Sequence, residues 1–90
     1  MFRYTPTTLM KVEQIFRESR YIVRYEKGSF KPGYCILEAK KVIVVNKYFE
    51  TESRINTLID ILAIVNIDSS YLSENSREFL DQLREVQIKS

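Results

Sequence analysis

Apolar residues recur along this chain in two rhythms, and the changes of rhythm divide it into six elements. Thr5-Pro6 reads as a helix start, a capping hydroxyl followed by proline at the first helical position, where a missing N–H costs nothing. Leu9, Val12, Ile15 and Phe16 follow at helical spacing and predict a helix over residues 6–19. Tyr21 to Glu26 is β-branched and aromatic and predicts a strand. Lys27 to Gly33 then breaks the pattern; Pro32-Gly33 suits the central pair of a type II turn, because proline presets φ and glycine accepts a positive one. Tyr34 to Glu38 predicts a second strand, Ala39-Lys40 a short connection, and Lys41 to Lys47 a third strand. The third is almost continuously apolar, which marks it as the central or most buried one.

Helical spacing returns after Thr51-Glu52, a predicted cap with an acidic residue favoured by the helix dipole. Ile55, Leu58, Ile59, Leu62 and Val65 form its apolar stripe. Polar turn formers from Asn66 to Ser70 end it. A last helix, spanning residues 71–87, carries Leu72, Phe79, Leu80, Leu83 and Val86. The fold class expected from the order α-β-β-β-α-α is α+β. Its two tight connections predict a three-stranded antiparallel meander, because parallel neighbours need long crossovers. The helices are expected mainly on one sheet face.

Length adds that residues 1–90 form a single domain, with a core thin enough that self-association would deepen it. No apolar run approaches a membrane span, and the first residues lack a signal-peptide pattern. One cysteine allows no internal disulfide, so a reducing cytoplasm is the expected location. The net charge of +2 is uneven: residues 1–48 carry a local +6 and residues 49–90 a local −4. Such asymmetry marks either a basic binding face or two halves attracting each other within one fold, and the second is the plainer reading.

The missing residue types narrow the chemistry most. There is no histidine, hence no Ser-His-Asp triad, no Cys-His pair and no histidine metal ligand. Both glycines, Gly28 and Gly33, lie in one loop, so no Walker A loop or GxGxxG exists. Glu50, Glu52 and Asp60 lack calcium-loop spacing, and Asp60 reads as a helix-surface acid. Cys35, inside a strand, reads as a buried structural thiol. The expectation is a non-enzyme with no cofactor and no metal.

Two places invite a partner. In the loop, Phe30 stands between Lys27 and Lys31, either as an anchor for another protein or folded back over its own core. In the strands, period-two alternation puts Tyr21, Val23 and Tyr25 on one side and Ile22, Arg24 and Glu26 on the other. Tyr34 and Ile36 likewise oppose Cys35 and Leu37. A tyrosine-rich face margined by Arg24, Lys40 and Lys41 could stack nucleic-acid bases or meet a second protomer, while the plainest role for those rings is to cover the core. The expected function is a non-enzymatic protein-interaction module whose expected partner is a second copy of itself, with no membrane partner. The alternative is a nucleic-acid-binding module using Lys27, Lys31, Lys40, Lys41 and Arg24.

Three resemblances bear on this. The order α-β-β-β-α resembles a double-stranded-RNA-binding domain, a family that needs a lysine cluster where this chain has Glu50-Thr51-Glu52-Ser53-Arg54. The strand Lys41 to Asn46 followed by a helix looks like the strand–helix unit of small zincin-type metallopeptidases. Their HExxH motif would fall on Ile59-Asp60-Ile61-Leu62-Ala63, where both histidines and the glutamate are replaced, so a catalytically dead relative is what that likeness implies. The stretch from Tyr25 to Leu62, with Gly28-x-Phe30-Lys31-x-Gly33-Tyr34-Cys35, Val44-Val45-Asn46-Lys47 and Arg54-Ile55-Asn56-x-Leu58, is similar to a family of small bacterial proteins that brings no assigned activity.

Overall fold

A computed structural model describes residues 3–28 and 33–89, with side chains through Glu85. The element order is α1 (Pro6–Glu18), β1 (Ile22–Glu26), β2 (Tyr34–Leu37), β3 (Val42–Asn46), α2 (Thr51–Leu62) and α3 (Glu74–Lys89). Short 3₁₀ turns at Glu38–Lys40 and Ser69–Tyr71 lie before β3 and α3. The fold is α+β, as the pattern predicts.

The strand pairing corrects the expected meander. The sheet order is β1-β3-β2, with β1 parallel to β3 and β2 antiparallel to it. Proximity in sequence suggested that β1 and β2 pair. Instead residues 27–41 serve as the crossover that a parallel pair requires, with β2 and its turn contained inside it. The most apolar strand, β3, takes the centre, where both of its edges are paired.

Local signals explain the helix ends. Thr5 caps α1, its side chain accepting the Thr8 N–H at 3.2 Å, with Pro6 at the first turn. At α2 the expected cap shifts by one residue: Glu50 is the N-cap with no side-chain capping bond, and Thr51 is already helical. For α3, Ser73 bonds the Ser76 N–H at 3.3 Å, and Glu18 of α1 accepts from the Ser73 N–H at 2.8 Å. That carboxylate is held below its ordinary range: partial desolvation raises it, but hydrogen bonds from Gln14, Ser73 and Ser76 together outweigh that.

All three helices contribute to one core against one sheet face. Val12, Ile15 and Phe16 from α1, Ile55, Leu58 and Ile61 from α2, and Leu80 and Leu83 from α3 are essentially buried beside Ile43 and Val45. Val23, Tyr25, Tyr34, Ile36 and Phe49 pack against them. Ala63 is exposed, so only Ile59 of the two positions that would be histidines in a zincin frame is buried. The expected core side chain of Val86 lies outside the described residues, as does Pro32 of the expected turn. Gly33 itself has φ +116° and is buried; a Cβ there would stand 2.9 Å from Phe49 Cε2. Only glycine fits that joint.

Candidate functional site

The registers lay the sheet out as a grid with two unlike faces. Toward the helices stand Val23, Ile43 and Ile36 in one row and Tyr25, Val45 and Tyr34 in the next. On the other face the rows are Ile22–Val42–Leu37, Arg24–Val44–Cys35 and Glu26–Asn46. Among the described residues no helix covers this second face. Ile22 is 57% exposed and Leu37 44%, with Val42 half-buried between them. Val44, at the centre of the grid, is the one residue here nearly closed off. An Arg24–Glu26 ion pair of 3.0 Å, well exposed, borders the apolar row.

The tyrosines fall on the core side. Tyr21 is buried, edge-on to Phe16 with centroids 6.3 Å apart. Tyr25 is the hub of a network that joins four segments. Its hydroxyl donates to Glu13 of α1, and the Arg54 guanidinium lies 4.2 Å from its ring centroid. Arg54 in turn donates to the Lys47 and Phe49 carbonyls at 2.7 and 2.9 Å. Burial holds the Tyr25 phenol well above its usual value, the bond to Glu13 and its charge add to that, and Arg54 opposes. Glu13 and Arg54 are the network members that sequence reasoning missed. Nothing local marks them, because each answers a ring more than ten residues away in the chain.

The expected site residues do not converge. Arg24 points to the bare face, away from Tyr21, Tyr25 and Tyr34. Lys27 lies at the end of β1 where that strand leaves the sheet, and Lys40 and Lys41 lie at the opposite end, about 16 Å of strand away. Lys41 extends over the Tyr21 ring at 5.8 Å. Phe30 and Lys31 lie outside the described residues. Cys35 is half-buried rather than buried, because the strand face that carries it has no helix above it.

Two grooves accompany α1. One of about 600 Å³ runs between α1 and α3, lined by Met10, Gln14, Glu18, Ser73 and Phe79 among others. Of its polar members, Gln14, Glu18, Ser73 and Ser76 share the hydrogen bonds at the start of α3. A smaller one of about 240 Å³ lies along β1, lined by Glu13, Arg17, Tyr21, Ile22 and Val23. Among the described residues no three histidine, cysteine or acidic side chains gather where they could hold a metal ion. No helix among them is long and apolar enough to cross a membrane. No model of a protein family matches the chain, and no curated protein or solved structure does so either.

Proposed function

We propose that this chain is a non-catalytic protein-interaction module that offers its sheet to a partner, in the first instance a second copy of itself. The observation that carries this reading is the uncovered apolar row Ile22–Val42–Leu37, on a domain whose three helices all pack on the opposite side. A domain of this size buries a modest share of its surface, so a sheet with one bare apolar face gains by covering it. The dispersal of Lys27, Lys40, Lys41 and Arg24 over two ends and two faces gives a nucleic-acid role less support, since phosphate binding calls for a gathered basic stripe.

Sedimentation equilibrium from low micromolar to near-millimolar protein tests the reading, with amide hydrogen exchange on the same samples. A species of twice 10.7 kDa, with protection that rises with concentration across the sheet residues, supports it. A monomer at every concentration overturns the self-association. Protection rising on the outer helix surfaces instead overturns the placement on the sheet.

A further inference from the structure

The free edge of β1 has properties that the rest of the sheet lacks. Among the described residues, strand β1 has a hydrogen-bonded neighbour on one side only. Ile22 donates its N–H to the Lys41 carbonyl at 2.8 Å, and the Glu26 carbonyl accepts from Lys47 at 3.0 Å, so both residues face β3. In a parallel ladder N–H and C=O of one residue point the same way and successive residues alternate. Val23 and Tyr25 therefore aim their backbone donors and acceptors outward, away from the sheet. A groove of about 240 Å³ lined by Glu13, Arg17 and Val23 lies between α1 and this strand.

Natural edges are usually blunted by proline, by like charges or by a covering loop. This one has no proline, and its two charged residues, Arg24 and Glu26, are of opposite sign and two apart on the same face. We infer that the β1 edge pairs with the β1 edge of a second copy, antiparallel about a two-fold axis through Tyr25, to make a six-stranded sheet. This rests on the interaction reading above for its partner, a second copy, and adds a contact at the sheet edge that leaves the apolar row Ile22–Val42–Leu37 uncovered.

Charge selects both partner and register. With the axis at Tyr25, Arg24 of each copy stands opposite Glu26 of the other, and both cross-strand pairs are attractive. A shift of the axis to Arg24 would set arginine against arginine, which is unfavourable. The far edge, β2, reads Tyr34-Cys35-Ile36-Leu37 and has no charge with which to fix a register. An isologous contact of this kind is the commonest way in which a chain closes on itself.

Charge reversal in the full chain tests the pairing. Arg24→Glu and Glu26→Arg each turn two attractive pairs into repulsive ones and raise the dimer dissociation constant roughly tenfold or more. The double variant Arg24→Glu/Glu26→Arg restores the attraction and the dimer. Because the intrachain pair is exposed, each single variant still folds, and circular dichroism verifies it. Single variants that leave dimerisation unchanged, or a double variant that fails to recover it, overturn the proposal.

A nitroxide on the native Cys35 gives a second readout. Edge pairing sets the two Cys35 sites about 25 Å apart, five strand spacings plus a small offset. Sheets stacked face to face would bring them to about 10 Å, which overturns edge pairing while the interaction reading stands. A wild-type monomer at all concentrations overturns both.

Discussion

The two faces of the sheet are built from the same strands, often from adjacent residues, yet they differ in what they touch. Ile43 is completely buried among helical side chains, whereas Ile22, diagonal to it and one row away, is more than half exposed. Strand alternation creates both faces, and only the helices decide which is the inside. The inner face carries the aromatic rings, and the polar tip of Tyr25 is engaged by Glu13. The outer face carries plain aliphatic residues, one ion pair, Cys35 and Asn46. A tyrosine-rich face is thus no sign of a binding surface in this chain, and the aliphatic face is the one left open.

The largest test of that contrast is a matched pair of truncations. Ile43→Ala removes methyl groups from a site that cannot collapse and is expected to lower unfolding stability by about 3–4 kcal/mol. Ile22→Ala, changing the same side chain on the open face, is expected to lower the monomer's stability by less than about 0.5 kcal/mol. Urea denaturation of both at low protein concentration reads the difference. Equal losses would mean that the outer face is covered within the monomer.

Much of this was legible beforehand, for identifiable reasons. The unbroken apolar run Val42 to Val45 marked the central strand, because only a strand paired on both edges and shielded by neighbours suits that composition. The alternation of Tyr21, Val23 and Tyr25 against Ile22 and Arg24 gave the two sides of β1 correctly. The pairing of β1 with β3 was not legible. Nothing within residues 22–26 encodes which later strand will lie beside it, and a loop of ordinary length misled by suggesting the nearest one. The placement of charge was equally hidden: sheet geometry puts Lys27 and the Lys40–Lys41 pair at opposite ends and turns Arg24 to the face away from the tyrosines.

A smaller effect follows from the inner face's polar tip. Tyr25→Phe keeps the ring under Arg54 but removes the hydroxyl that donates to Glu13, and is expected to cost about 1–2 kcal/mol near neutrality. The pH dependence carries the specific signature. Because folding raises the Tyr25 phenol above its unfolded value, the stability it adds is complete below about pH 10. It is lost as pH rises from there toward the folded value, since the unfolded ring ionises first. Denaturation midpoints of wild type and variant should therefore converge above about pH 10, the other tyrosines being common to both. Parallel pH profiles would show that the hydroxyl does not titrate differently in the folded protein.

The smallest effect concerns the residues that set which side of each strand faces the helices. Arg20 and Lys41 both hold left-handed backbone, with φ of 72° and 53°, two residues ahead of Ile22 and one ahead of Val42, the paired strand starts. Arg20 closes α1: its N–H bonds the Arg17 carbonyl, and the Tyr21 N–H bonds the Phe16 carbonyl at 2.9 Å, while the Tyr21 and Phe16 rings meet. That arrangement usually takes glycine, since a side chain at positive φ is strained by about 1 kcal/mol. The turn directs Tyr21 inward and so sends Ile22 out. Against the strain stands the Arg20 side chain, 5.6 Å over the exposed Tyr71 ring, a contact worth about 0.5 kcal/mol at such a site. Arg20→Gly is therefore expected to raise stability by about 0.5 kcal/mol, with the exposure of Ile22 unchanged by hydrogen exchange. A loss of stability would mean that the Arg20–Tyr71 stack outweighs the strain, and that the turn is held from the side chain rather than from the backbone.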